Sequence, residues 1–294
     1  MISGGRGEGD GTGGALDRRY LRPDGRPLRL SLGLRPLDLE EWLEVDESYR
    51  AEVAEKARLL AERHDEVVAV MAAGDQAARE AALLVQEWVR IHHPALASPP
   101  SQRAHPLEVA ARLVQEDLCV LTAGPQGYLL TAAVVCFPSR WHLRDKMGAT
   151  VAGIHGPVPG YEQIGPVVDL TLARLQEGRP LWRANWTIVD DPALFLPTGH
   201  HDYGAAVDIA DLVFRVERQT LRRLPGTGAV LFTIRTYRAP LHRVAASPES
   251  ARRLADSLQT ASPELVRYKG WSDLMPPLLG WLGRRTRHAG SAAS

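Results

Sequence analysis

The chain has 294 residues, 45% of them hydrophobic and 24% charged, with 35 basic side chains against 35 acidic ones. That length buries a full core without disulfides or a structural metal, and the composition excludes a mainly disordered chain. The balanced charge argues against a protein that coats nucleic acid, whose domain would carry a basic excess. Residues 1–14 hold seven glycines with scattered charge and no preceding apolar strand, so they do not form a phosphate-binding loop; residues 1–29 are expected to be a disordered tail. Leu34–Val45 reads as a loop with a short helical turn. Apolar residues at helical spacing, such as Val53, Leu60, Val67 and Met71, predict an amphipathic helix over 47–71. Further helices are predicted at 76–91 and at 106–115, where Pro106 suits a first helical position.

The period then changes. Leu118–Thr122 and Tyr128–Phe137 are strand-like and joined by the hairpin signal Ala123–Gly127. A helical piece over 142–154 runs into the breaker Gly156-Pro157-Val158-Pro159-Gly160, and another helix covers 161–176. Strands are predicted at 182–189, 212–220 and 229–237, the last two joined through Pro225–Gly228. The end is helical, over 248–258, 263–266 and 275–282, with 284–294 expected to be flexible. Helices, then a mostly antiparallel five-stranded sheet with a helical insert, then helices again make the class α+β. The longest apolar stretch, Tyr128–Phe137, is half a membrane span, and no signal peptide is read at the start, so a soluble cytoplasmic protein is expected.

Cys119 and Cys136 have apolar neighbours and no CxxC spacing, which predicts two small buried hydrophobes and no metal cluster. Of the ten histidines, no two are spaced to share a helix face for zinc. His92-His93 suits a helix end, and His200-His201 a solvated loop. His155 follows an apolar turn and precedes the rigid Gly156-Pro157. It is compatible with a capping or core histidine and with an imidazole offered to haem iron, and the pattern leaves both open. Alternation places Arg183 and Asn185 on one face of their strand, Arg215, Glu217 and Gln219 together on the next, and Thr233, Arg235 and Tyr237 together on the third. Three strands that each carry an arginine and another polar group make either a solvated face with cross-strand ion pairs or a polar pocket that holds carboxylates. For Glu217 the structural alternative is an ion pair with Arg215 or Arg235.

The segments GLRPLDLEEWLEVD (33–46), VCFPSRWHLRDKMG (135–148), IHGPVPGY (154–161), RPLWRANWTIVDDPALFLP (179–197) and RVERQTLRRLPGTGAVLFTIRTYRAPL (215–241) resemble the DUF3445 family, which includes the haem-binding subunit of the haem-dependent oxidative N-demethylase. The resemblance spans residues 30–283 in the same order. It implies a single PAS-like domain over 30–283 binding one b-type haem, with His155 as axial ligand and metal-binding residue. Arg140, Arg222 and Arg235 are the expected partners of the haem propionates, by their positions in the matching motifs. It also implies an enzyme that uses O2 and external electrons to hydroxylate a methyl carbon beside nitrogen, the product collapsing to formaldehyde and a shorter amine.

Glu217, Arg183 and Asn185 are the expected catalytic residues. Glu217 would face the protonated amine and relay protons. The chain carries neither a nicotinamide fingerprint nor cluster cysteines, so the resemblance implies separate flavin and iron–sulfur reductase subunits as electron donors, a small amine and O2 as reactants, and neither nucleic acid nor membrane as a partner. Two further classes stand beside this one: a non-catalytic PAS-type haem sensor or haem-binding protein, and a structural α+β protein without cofactor.

Overall fold

In a computed structural model, which describes Tyr20, residues 32–96, 104–198, Tyr203 and residues 208–287, the alternating runs pair into one antiparallel sheet. Its strands are β1 (Arg35–Pro36), β2 (Val68–Val70), β3 (Asp117–Gly124), β4 (Gly127–Val134), β5 (Leu181–Val189), β6 (Val213–Arg223) and β7 (Val230–Pro240), in the spatial order β1-β5-β6-β7-β3-β4-β2. The sheet thus has seven strands where five were expected. The five long ones are the predicted runs; the two short ones close the edges, where brevity and the proline of β1 limit further pairing. β2 falls within the stretch expected to be helix over 47–71. That helix runs only from Tyr49 to Glu62, a short turn follows at His64–Val67, and Val68–Val70 then pairs with Val134–Ala132. Two β-branched residues in three favour this pleated edge over another helical turn.

Both predicted hairpins form. Gly127 (φ 114°) closes β3–β4 and Gly228 (φ 68°) lies in the β6–β7 turn, where a side-chain-bearing residue would be strained. The latter turn is pinned from outside. The Glu80 carboxylate accepts from Gly226 N (2.5 Å), Thr227 N (2.8 Å) and Thr227 Oγ1 (2.6 Å). Glu80 lies on the helix Asp75–His92, so one side chain couples helix and sheet.

One face of the sheet is covered twice. Over β7, β3 and β4 the helices Tyr49–Glu62, Asp75–His92 and Pro106–Ala111 bury Trp42, Leu59, Val85 and Leu107 against Leu118, Val120, Ala132 and Leu231. Over β5 and β6 the helices Pro248–Gln259 and Met275–Arg287 bury Leu254 and Leu278 against Ile188, Phe214 and Val216. There Trp186 stacks on Trp271 at 5.6 Å, and Tyr20 packs against Tyr237 at 5.8 Å.

The second face is covered by the 138–175 insert, whose Val151, Leu172 and Leu175 meet Cys119, Leu121, Leu130 and Val230. Only Val151–His155 and Tyr161–Arg174 of the insert are helical, less than the expected 142–154. Gly148 (φ 73°) sets the turn before the first of these helices and Gly160 (φ 79°) separates the two. Both cysteines are free and buried; Cys136 is pushed up to about 12 by burial. Apart from Tyr20, the glycine-rich stretch lies outside the described residues, as does the end beyond 287; residues 284–287 continue the last helix. His200 and His201 also lie outside them.

Candidate functional site

The insert leaves the β5–β6 part of the second face least covered. Register pairs Arg183 with Gln219, Asn185 with Glu217, and Glu217 in turn with Thr236 of β7, so these side chains share that face. Asn185 is exposed, and Arg183, Glu217 and Gln219 are half-buried. Gln219 Nε2 donates to Glu217 Oε2 at 3.1 Å. Neither arginine considered as an ion-pair partner of Glu217 reaches it. Arg215 donates to the carbonyls of Phe137 (2.7 Å), Ala193 (3.2 Å) and Leu194 (3.2 Å), and Arg235 lies on the other face.

His155 ends the helix that looks onto this surface. Thr150 caps the start of the helix, its Oγ1 accepting from Gly153 N at 2.9 Å. The loop before it is stitched to β4 by Leu130 N to Ala149 O (3.1 Å) and Gly148 N to Leu130 O (2.8 Å). His155 Nδ1 lies 2.8 Å from Val151 O. A carbonyl only accepts, so the proton sits on Nδ1 and the lone pair of the neutral ring is on Nε2. Burial holds this imidazole below its ordinary value, with Arg183 and Lys146 acting in the same direction against the Val151 carbonyl and Glu217. The ring lies parallel to that of Tyr161, 9° between planes and 5.0 Å between centroids. The Tyr161 hydroxyl is buried with no hydrogen-bond partner, and burial followed by Asp169 pushes it up to about 12.

The structure therefore brings together His155, Arg183, Asn185 and Glu217, separates them from Arg222 and Arg235, and pairs Arg140 with an acid. Arg235 pairs in register with Arg218, on the face opposite Glu217. Its guanidinium donates to Asp46 Oδ2 (2.6 Å) and Glu52 Oε2 (2.7 Å). Arg222 shares that opposite face and lies over the Trp42 ring at 4.3 Å, pushed down to about 10 by burial. Arg140 sits in the loop after β4, in the left-handed region (φ 60°), with Nη2 2.5 Å from Asp190 Oδ1. Two of the three are turned away by the strand register, and the charge of the third is matched by Asp190.

Sequence reasoning missed Lys146, Tyr161 and Lys269. The Lys269 ammonium donates to Trp186 O on β5 at 2.9 Å and lies over the Trp271 ring at 5.3 Å. Burial pushes it down to about 8, with Glu217 raising it and Arg183 lowering it. For the lysines the signal in the sequence was rarity, since Lys56, Lys146 and Lys269 are the three lysines of an arginine-rich chain; in the fold each donates to a backbone carbonyl. Lys56 binds Val114 O (2.9 Å) and Glu116 O (2.5 Å), and Lys146 reaches Ile154 O at 3.5 Å.

Among the described residues, no three His, Cys, Asp or Glu side chains come together to hold a metal ion directly, and no helix is long and apolar enough to cross a membrane. A family model described as haem-dependent oxidative N-demethylase, alpha subunit-like, matches residues 33–96 and 91–279.

Proposed function

The chain belongs to the haem-dependent oxidative N-demethylase alpha subunit-like family, and we propose that it is the haem-carrying oxygenase component of an amine demethylase, supplied with electrons by separate flavin and iron–sulfur units. His155 carries the reading: a neutral imidazole, held by Val151 O through Nδ1, that presents Nε2 beside a polar, partly open sheet face. A histidine that binds a metal through one ring nitrogen commonly donates its other ring N–H to a carbonyl or carboxylate, which fixes the tautomer and the ring's orientation.

The donor set fits a haem. Iron requires an axial nitrogen, which His155 offers. Two propionates require cations, and Arg183 shares the face of Glu217 while Lys146 and Arg183 both act on His155. The buried, unpartnered Tyr161 hydroxyl is a donor that a bound group would satisfy. Five long strands with a helical insert between β4 and β5 support a PAS-like domain over 30–283 binding a b-type haem.

When bound, haem supplies O2 binding and oxidising capacity. Removal of one methyl group from an N-methyl amine then consumes O2, two electrons and two protons and yields the demethylated amine, formaldehyde and water. The chain's own residues position the amine. Glu217, with no arginine paired to it among the described residues, is the anionic partner for a protonated amine in a partly desolvated setting, where one charge attracts another more strongly than in water. A carboxylate so placed can also accept a proton and pass it on. Asn185, opposite Glu217 in the ladder, and Arg183 offer donors that orient the substrate.

The test is direct. The purified protein should show a Soret band that His155→Ala abolishes and His142→Ala leaves intact. With a secondary or tertiary amine, O2 and NADPH, formaldehyde should form only when a flavin–ferredoxin reductase system is added. A wild-type Soret band in His155→Ala refutes the ligand assignment. Formaldehyde at full rate without a reductase refutes the need for partners, and no formaldehyde from any amine by a haem-replete protein moves the reading to a haem sensor.

A further inference from the structure

Tyr161 is 6% exposed, and its hydroxyl has no hydrogen-bond partner among the described residues. By contrast, Tyr49 Oη donates to Leu113 O (2.9 Å), Tyr203 Oη donates to Ile188 O (2.7 Å), and Tyr128 Oη accepts from Arg223 Nη1 (2.9 Å). A buried hydroxyl without a partner destabilises the fold that holds it. Burial also keeps this one protonated, so it is a donor that lacks an acceptor.

Backbone hydrogen bonds build the position of its ring step by step from the histidine. Val158 N donates to His155 O at 2.8 Å and Tyr161 N donates to Val158 O at 3.1 Å. Gly160 (φ 79°) then turns the chain into the helix Tyr161–Arg174. One turn on, Gly165 leaves room for the phenol, since a Cβ there would lie 3.2 Å from Tyr161 Cε1. The phenol thus lies parallel to the His155 imidazole, 9° between planes and 5.0 Å between centroids, an offset stack. The Val151 carbonyl selects the nitrogen that carries the proton. A carbonyl accepts over a broad range of angles, however, and does not by itself fix the plane of the ring. The stack fixes it.

We propose that Tyr161 is a positioning residue with two tasks: its ring sets the plane of the His155 imidazole, and its hydroxyl donates to a carboxylate of the haem that His155 binds. This rests on the haem reading above. A b-type haem carries oxygen only in its two propionates, so the acceptor it brings to this hydroxyl is a carboxylate. A hydrogen bond to a carboxylate is stronger than one to a neutral acceptor. The donor that destabilises the haem-free fold therefore contributes to binding once haem is present. Losing the hydroxyl moves haem-free stability and haem affinity in opposite directions.

The experiment compares Tyr161→Phe, which keeps the ring and loses the hydroxyl, with Tyr161→Leu, which loses both. Each is melted haem-free, titrated with ferric haem through the Soret band, and examined as the ferric complex by EPR, whose rhombicity reports the plane of the axial imidazole. Haem-free Tyr161→Phe should melt at or above the wild-type temperature yet bind haem at least tenfold more weakly, with wild-type rhombicity. Tyr161→Leu should change the rhombicity. Gly165→Ala, whose methyl crowds the ring without removing it, should change it too and decides the point where the leucine variant does not fold. Wild-type haem affinity in Tyr161→Phe, or a lower haem-free melting point, overturns the hydroxyl assignment while the haem reading stands. Wild-type rhombicity in the folded ring variants overturns the setting of the plane. Failure of wild type to bind haem stoichiometrically overturns the proposal and the haem reading together.

Discussion

Arg235→Met separates a structural from a cofactor-binding arginine. The guanidinium is 1% exposed, 2.6 Å from Asp46 and 2.7 Å from Glu52, and also donates to Thr236 O at 2.6 Å. Gln115 Nε2 completes the cluster, donating to Asp46 Oδ1 (3.0 Å) and Glu52 Oε2 (2.8 Å), with the buried Glu116 close by. Methionine keeps most of the volume but leaves these acids without their cation. Breaking a buried pair from one side costs about 3–5 kcal/mol, and at roughly 2–4 °C per kcal/mol for a domain of this size the melting point should fall by about 6–20 °C.

The sign of the pH dependence follows from Glu52. Burial raises its pKa in the fold and Arg235 opposes that rise. Without Arg235 the folded value climbs further, so between the unfolded and folded values the native state binds the extra proton. The loss should therefore shrink as pH falls through that window. Urea unfolding followed by tryptophan fluorescence at pH 7.5 and 5.5, with a haem titration of the folded variant, measures all of this. A loss below about 1 kcal/mol at pH 7.5 refutes the buried-pair argument. A stable variant whose haem affinity drops tenfold would show that Arg235 serves the cofactor after all.

Glu217→Gln keeps size and hydrogen bonding but removes the charge. It should weaken the amine-induced spectral shift at least tenfold while its melting point stays near wild type, and an unchanged amine affinity would reduce Glu217 to a structural role. Asp117 accepts from Cys136 N (2.8 Å) and Phe137 N (3.0 Å) and faces Lys56 and Arg215. Asp117→Ala, measured by urea unfolding, should cost about 3 kcal/mol or more because two buried donors and two cations lose their partner, and Asp117→Asn should cost less. Lys269 titrates near 8 in the fold against 10.5 as its ordinary value. Between those values the unfolded chain holds the proton that the fold has lost, so its contribution to stability rises with pH. Unfolding midpoints from pH 7.5 to 10.5 should rise less steeply in haem-free Lys269→Met than in wild type.

Alternation within a strand is a local property, and it was legible. Period two placed Glu217 with Gln219 and apart from Phe214 and Val216, and the five long runs pair as strands wherever the apolar pattern marks them. β1 and β2 were not legible, because two or three residues carry no period, and Val67 and Met71 happen to continue the helical spacing of the preceding segment. The turn at Gly148, not the apolar pattern, decides how little of 142–154 is helical.

Faces across strands are another matter. Nothing in three separate segments says whether Arg183, Arg215 and Arg235 meet, since a shift of one residue in register turns every side chain of a strand over. The register Arg218↔Arg235 sends Arg235 to Asp46 and Glu52 and leaves Arg183 with Glu217. The residue types at the site and the rigid turn after His155 were thus determined by the sequence. The gathering of His155, Tyr161 and Glu217, drawn from three elements, was decided only by strand register and helix packing. Those act between segments far apart in the chain and leave no mark on the local pattern of any one of them.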